Sequence, residues 1–78
     1  MASTAFLVDR DGTGRRIRAS REARSLSVAQ LAGLCDCTPQ TIRMYEDGSS
    51  VPGGDILARL SLALEMSADE ILGLRGVR

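Results

Sequence analysis

Two helix start signals in close succession constrain this chain more than any other feature. Ser27 is followed three residues later by Gln30, and Thr38 is followed directly by Pro39. A serine or threonine N-cap accepts a hydrogen bond from the free N–H groups of a first helical turn, and proline suits that turn. Gly48 is a typical residue just beyond a helix end. The segment therefore predicts two short helices joined by a tight turn.

Three further helices are expected around this pair. A first helix is predicted over residues 14–24, a fourth over residues 55–64 with Asp55 as its N-cap, and a short fifth after a second capping box at Ser67 and Glu70. Apolar residues recur at helical spacing, and no segment gives a clear strand pattern. The expected fold class is all-α, with five short helices around one core.

The expected organisation is one small domain. Residues 1–12 are expected to form a flexible arm, or a short strand that needs a partner, residues 13–74 the helical domain, and residues 75–78 a tail. A chain of 78 residues buries only about 60% of its unfolded surface, so its net stability is small. No apolar run is long enough for a membrane span or a signal-peptide core.

Composition excludes several functional classes. Ten arginines balance ten acidic residues, and the chain has neither lysine nor histidine. Binding through bulk positive charge is therefore excluded, as are histidine-dependent zinc sites and Ser-His triads. Aromatic residues make up only 3% of the chain, too few for a stacking platform on single strands. We expect no enzymatic activity, no cofactor and no small-molecule substrate.

The two cysteines are expected to be structural. Cys35 and Cys37 are too few for a disulfide scaffold, which indicates a reducing, cytoplasmic setting. Their spacing is too short and too isolated for a metal site. Because a free cysteine packs well as a small apolar residue, we expect both in the core and no bound metal.

The order of the motifs resembles the lambda-repressor-like (Cro/repressor, or XRE) helix-turn-helix family. The matching pieces are Ile-Arg-x-x-Arg at residues 17–21, Ser-x-x-x-Leu-Ala at 27–32, Thr-x-x-Thr-Ile-x-x-x-Glu-x-Gly at 38–48, the apolar helix at 57–64 and Ser-Ala-Asp-Glu-Ile-Leu at 67–72. No single piece is specific, but the whole order at the correct spacing is. The resemblance covers about four-fifths of the chain and implies that family's five-helix DNA-binding fold.

A second resemblance concerns one helix alone. Thr-Ile-Arg-Met-Tyr-Glu-Asp-Gly at residues 41–48 is also similar to the recognition helix of the MerR family. In that family the motif lies almost at the amino terminus and precedes a wing rich in arginine and tyrosine. Here a whole helix precedes the motif, and a Gly-Gly-Asp helix start follows it. The order of elements favours the repressor family.

The repressor resemblance implies roles for single residues of the motif. The helix predicted over residues 39–47 would enter the major groove. Glutamine can pair with adenine, arginine with guanine, and a thioether can touch a thymine methyl group. The residues on or beside the groove-facing side would be Gln40, Arg43, Met44, Pro39 and Thr41.

Phosphate contacts are implied at the starts of both helices of the motif. Ser27 and Gln30 lie where helical N–H groups favour a phosphate, and Thr38 can touch another. Two departures weaken this set: Val28 stands where the family usually has glutamine, and residues 47–55 carry two acids and no base. We therefore expect useful DNA affinity to require a dimer or a partner.

An ion pair between Arg21 and Glu46 is also expected. Arg21 lies one turn beyond Ile17 on the core-facing side of the first helix. A glutamate near a helix C-terminus is disfavoured by the helix dipole, and the neighbouring Asp47 adds to the cost. The positive charge of Arg21 on the first helix offsets this cost, and the family resemblance supports the pairing.

Together these features imply a sequence-specific DNA-binding transcriptional regulator of the small repressor type, acting on double-stranded DNA as a homodimer. The alternative is a protein-interaction module, such as an antitoxin or an accessory subunit, with weak or secondary DNA binding. The apolar arm at residues 6–8 distinguishes these two functions. An arm that docks on the protein's own dimer mate favours the regulator, and an arm that stays free favours a different protein partner. Apolar candidates for pairing outside the core are Val51, Leu62, Leu74 and Val77.

Overall fold

The computed structural model describes residues 9–73 and folds them into five α-helices. These are α1 (Arg10–Ala23), α2 (Val28–Leu34), α3 (Pro39–Glu46), α4 (Gly54–Leu64) and α5 (Ala68–Leu72). Residues 9–73 contain no strand, so the all-α fold class is confirmed. α1 packs against α3, α4 and α5, while α2 packs against α3 and α4. None of the five helices has the length and apolar character needed to cross a membrane.

One apolar core joins all five helices. Burying a leucine or isoleucine side chain contributes roughly 1.5–3 kcal/mol, so a few such residues carry most of the stability of a domain this small. Each of them lies on the apolar face that the helical spacing of the sequence predicts. The buried members are Ile17, Leu31, Ala32, Cys35, Ile42, Tyr45, Leu60, Leu64 and Ile71.

Side-chain caps start three of the helices at the residues that the sequence predicts. Ser27 and Ser67 each head a complete capping box, in which the serine hydroxyl and the side chain three residues later both accept a backbone N–H. The Thr38 hydroxyl accepts a hydrogen bond from Thr41 N at 3.2 Å, and Pro39 occupies the first turn of α3. The three predicted helix starts are confirmed.

The first helix begins four residues earlier than the sequence suggested. Asp9 is its N-cap, and the Asp9 carboxylate accepts a hydrogen bond from Gly12 N at 3.0 Å. Residues 9–12 therefore belong to α1 and its cap rather than to the arm predicted over residues 1–12. Gly12 and Gly14 each weaken a helix by up to about 1 kcal/mol, so the sequence around them does not indicate a helix start. Residues 1–8 lie outside the described part of the chain.

The start of α4 was also predicted wrongly. Gly53 is the N-cap, no side chain caps this helix, and Asp55 lies inside its first turn. A carboxylate there still interacts favourably with the helix dipole. The cap moves because the chain enters α4 through two consecutive glycines, with Gly54 in the left-handed region at φ 55°.

The end of α4 uses a residue that rarely takes this conformation. Glu65 has φ 54° and ψ 44°, the left-handed conformation that glycine adopts most readily. Such a conformation costs a non-glycine residue roughly 1–2 kcal/mol. Arg24 offsets part of that cost, because its Nε donates to the Leu64 carbonyl at 3.1 Å and its Nη1 lies 3.5 Å from Glu65 Oε2. Beyond α5, Leu74 and the predicted tail at 75–78 lie outside the described residues.

A bidentate ion pair ties α1 to the end of α3. Arg21 Nε lies 2.6 Å from Glu46 Oε2, and Arg21 Nη2 lies 3.1 Å from Glu46 Oε1. Arg21 Nη1 also donates to the Leu26 carbonyl at 2.9 Å. The two side chains are only 11% and 10% exposed, and the hydrogen bond to Glu46 raises the pKa of Arg21. One charged guanidinium thus joins α1, the α1–α2 turn and α3.

α1 and α3 also touch backbone to backbone at Gly14. A Cβ added at this residue would lie 2.7 Å from the Tyr45 carbonyl oxygen and would clash with the Glu46 carbonyl as well. These atoms belong to the last turn of α3 and cannot rotate away as a side chain would. Gly14 is therefore required by the close approach of the two helices.

We predict that Arg21→Ala and Glu46→Ala each lower the free energy of unfolding by about 1–4 kcal/mol, because each leaves the other charge buried without its partner. Chemical denaturation followed by circular dichroism measures the change. Arg18→Ala is the matched control, since it removes an exposed pair with Glu22 worth at most about 0.5 kcal/mol. Equal stability of Arg21→Ala and the control would contradict the prediction.

The helix contact at Gly14 gives a second prediction. Gly14→Ala should destabilise the domain by about 1–3 kcal/mol through overpacking. Gly33→Ala should stabilise it by about 0.5–1 kcal/mol, because Gly33 lies within α2 and a Cβ there meets no atom within 4 Å. Opposite shifts of the denaturation midpoint are the expected result. A Gly14→Ala protein at least as stable as the wild type would contradict the close contact.

Candidate nucleic-acid interface

The outer face of α3 carries polar side chains that the fold does not use. Ile42 and Tyr45 are buried in the core, whereas Gln40 and Arg43, one turn apart, are exposed. Within residues 9–73, neither of these two side chains forms a hydrogen bond or an ion pair with any other residue. Their amide and guanidinium groups are thus available to an external partner.

Three other residues named from the sequence border this face. Met44, Pro39 and Thr41 are half-buried. The Thr41 hydroxyl lies 3.0 Å from the Thr38 hydroxyl, so the two form a pair at the start of α3. Met44 follows Gln40 by one turn and adds an apolar surface beside it. The chemistry of the face therefore combines one amide, one guanidinium and one thioether.

The start of α2 keeps hydrogen-bond donors despite its capping box. The Ser27 hydroxyl accepts from Gln30 N at 2.9 Å, and Gln30 Oε1 accepts from Ser27 N at 2.8 Å. These contacts occupy oxygen atoms and leave the hydroxyl proton and the side-chain amide N–H groups. Both residues and Thr38 are exposed. Donors for an anion therefore remain at this end of the motif.

The fold accounts for Val28, the main departure from the family pattern. Its side chain is half-buried and packs against the apolar core. The position thus adds apolar contact to a small domain and supplies no hydrogen-bond donor. Valine at this position therefore stabilises the packing of α2 but cannot donate a hydrogen bond to a phosphate.

The loop after α3 presents negative rather than positive charge. The Asp47 carboxylate accepts hydrogen bonds from Ser49 N at 2.8 Å and from the Ser49 hydroxyl at 2.5 Å. These bonds lower the pKa of Asp47, so that it stays ionised. Gly48 turns the chain with φ 84°. The loop is an ordered turn without a cation and offers no phosphate clamp.

The cysteines lie between the two helices of the motif. Both are free thiols, Cys35 buried and Cys37 half-buried. Burial raises the pKa of Cys35 to about 11 and also raises the pKa of Cys37. Asp36 between them takes the left-handed conformation at φ 56°, as its residue type suggests. No group of three or more potential ligands that could hold a metal occurs among residues 9–73.

One feature of this region was not predicted from the sequence. Arg18 of α1 and Arg43 of α3 line the same cleft, together with Glu46 and Asp47. In the sequence Arg18 is one of six arginines in the first 24 residues, and spacing alone does not separate it from the others. Only the packing of α1 along α3 brings it beside the polar face.

The sequence model of a protein family, the helix-turn-helix domain, matches residues 13–72. The chain belongs to the helix-turn-helix family. Within that family it has the lambda-repressor-like arrangement of helices, as the whole order of its motifs indicated, rather than the MerR arrangement. Comparison with curated protein sequences gave no significant match.

Solved structures of this helix-turn-helix protein's relatives share its fold. The P22 c2 repressor, in a complex with synthetic operator 9T, is 33% identical with a TM-score of 0.75, and the match covers 77% of this chain and 91% of the repressor. The restriction-modification controller protein C.AhdI from Aeromonas hydrophila is 27% identical with a TM-score of 0.74, covering 81% and 96%. The clp gene regulator ClgR from Corynebacterium glutamicum, at 23% identity and a TM-score of 0.73 over 83% and 69%, has the same fold.

Proposed function

We propose that this helix-turn-helix protein is a sequence-specific DNA-binding transcriptional regulator of the repressor type. The observation that carries the proposal is the exposed pair Gln40 and Arg43 on the outer face of α3, neither bonded within the described residues. The similar P22 c2 repressor is known in complex with an operator, which supports the same ligand class here. A regulator of this kind needs no catalytic group, and its free thiols suit a cytoplasmic setting.

In this proposal α3 lies in the major groove with its buried side toward the domain. Gln40 pairs with adenine and Arg43 with guanine, each through two hydrogen bonds. Met44 contacts a thymine methyl group, while Pro39 and Thr41 limit how closely the helix start approaches the bases. α3 has caps at its start and the Arg21–Glu46 pair at its end, so its side chains are presented in a fixed orientation.

The phosphate contacts in this proposal come from the starts of α2 and α3. Ser27 and Gln30 offer the hydroxyl and amide protons that their capping box leaves over, beside the N–H groups of α2. Thr38 adds a hydroxyl at the start of α3. With Val28 in the core and Asp47 in the following loop, few phosphates are neutralised by one copy of the domain.

Homodimerisation supplies the missing affinity in this proposal. Two copies place their α3 helices about 34 Å apart, on half-sites separated by one turn of DNA. Leu62 is 80% exposed and Leu34 is 57% exposed, which gives apolar surface for such a contact. Val51 is half-buried and remains a further candidate.

The exposed leucines also favour a second candidate function. A different protein could cover Leu62, in which case the chain is an interaction module, such as an antitoxin or accessory subunit, with secondary DNA binding. The apolar residues 6–8, which would separate the two readings, lie outside the described part of the chain. Few phosphate contacts are consistent with both candidate functions. The preference of the protein for selected over scrambled DNA sequences therefore decides between them.

We predict that Arg43→Ala costs about 1–3 kcal/mol of specific binding and relaxes the preference at one base pair. The measurement uses duplexes selected by the wild-type protein from a randomised library, with fluorescence anisotropy on selected and scrambled sequences. Gln40→Ala should relax a neighbouring position. Arg59→Ala, an exposed arginine of α4, is the control and should leave the base preference unchanged.

An equal loss of affinity on selected and scrambled duplexes would move Arg43 from base reading to backbone contact. Wild-type protein that enriches no sequence at all would contradict the regulator proposal and favour the interaction module.

A separate prediction concerns the number of half-sites. A duplex with two selected half-sites should bind cooperatively as a 2:1 complex, and a duplex with one half-site should bind much more weakly at physiological salt. Analytical ultracentrifugation at micromolar protein gives the stoichiometry. Leu62→Ser should reduce this cooperativity without changing the base preference. Tight 1:1 binding of a strict monomer to one half-site would refute the prediction.

A further inference from the structure

The cleft between α1 and α3 places two arginines at one edge of the proposed DNA-binding face. It is lined by Arg18 from α1 and by Arg43, Glu46 and Asp47 from the C-terminal end of α3. Arg43 is exposed, and the Arg18 side chain is 65% exposed. The cleft is therefore an open surface feature, shared by the first helix and the recognition helix.

Helical geometry places this cleft on the flank of α3. Successive residues of an α-helix are about 100° apart around its axis. With Ile42 toward the core, Gln40 and Met44 lie on the opposite side, and Arg43 lies at the edge of that outer face, where it turns toward the flank beside α1. Glu46, which binds Arg21 of α1, lies on the same flank. Arg43 therefore stands between the outer face of α3 and α1.

The same reasoning places Arg18 on the α3-facing edge of α1. Gly14 and Arg21 both contact the last turn of α3, and Arg18 lies one turn from each of them. Arg15, in contrast, is exposed and does not line the cleft. Of these two exposed arginines, Arg18 is the one that α1 presents beside the DNA-binding face.

Within the described residues, the carboxylates of the cleft are occupied while the arginines keep spare donors. Glu46 accepts two hydrogen bonds from Arg21, and Asp47 accepts two from Ser49. Arg18 uses only its Nε, which lies 3.2 Å from Glu22 Oε2. The two Nη groups of Arg18 remain for an external anion.

We infer that Arg18 binds a phosphate of the DNA backbone next to the base that Arg43 reads. This inference rests on the proposed function. A helix with its side chains is about 10–12 Å across and fills a major groove about 12 Å wide, so the flanks of α3 face the sugar-phosphate walls. Arg18 belongs to α1, which packs beside this flank of α3, and it therefore contacts the sugar-phosphate backbone. α1 thereby replaces part of the clamp that the family position at Val28 and the loop at Asp47 do not supply.

The test is the salt dependence of DNA binding. Each phosphate contact contributes about 0.9 to the slope of log affinity against log salt concentration. Arg18→Ala should lower the slope by about that amount and weaken selected and scrambled duplexes by the same factor. Arg18→Lys keeps a positive charge and should retain most of the slope. Arg15→Ala, which removes an exposed arginine outside the cleft, should leave the slope unchanged.

Three results would overturn the inference: an unchanged slope for Arg18→Ala, an equal fall for Arg15→Ala, or a change of base preference in Arg18→Ala. Circular dichroism melting of each variant confirms that the compared proteins are folded. Failure of the proposed function has a different signature, because the wild-type protein would then bind selected and scrambled duplexes equally. Even in that case the slope on the scrambled duplex decides whether Arg18 contacts a phosphate.

Discussion

The orientation of α3, the proposed recognition helix, depends on the buried pair between Arg21 and Glu46. α3 has only eight residues, too few to be stable alone in water. Its start is fixed by Thr38 and Pro39, but its end would carry two adjacent carboxylates at the negative pole of the helix dipole. The Arg21 guanidinium neutralises the first of these and also holds the turn before α2 through the Leu26 carbonyl. A single side chain thus connects the elements that would face DNA.

The residues that could be predicted from the sequence are those whose effect is local. A serine or threonine before a helix acts on N–H groups two or three residues away, so the starts of α2, α3 and α5 were predicted correctly. The start of α1 is an exception: its Asp9 cap is also local, but Gly12 and Gly14 within the next two turns weaken the helical pattern. Asp55 was mistaken for a cap because the true N-cap, Gly53, has no side chain to form a capping hydrogen bond and so leaves no capping signal in the sequence. The position of Arg18 beside Arg43 depends on the packing of α1 against α3, so the spacing of the sequence does not indicate it.

The structure divides its limited surface between folding and binding. Val28 adds to the core at a position that in the family donates to a phosphate, and Asp47 stabilises its own loop through Ser49 rather than leaving room for a cation. A domain of this size has few apolar residues to spare, so core packing takes priority at such boundary positions. In the proposed function, binding strength comes instead from a second copy of the domain and from the exposed edge of α1.

The backbone contact at Gly14 has a mechanical consequence. Between most packed helices a layer of side chains can shift by changing rotamers and so absorb small displacements. At Gly14 no such layer exists, because the α1 backbone rests directly on the carbonyl groups of Tyr45 and Glu46. A displacement of α1 toward this contact therefore acts directly on the backbone of α3. If α3 enters the major groove as proposed, a molecule that binds the outer surface of α1 and displaces this helix would also move α3 relative to the DNA.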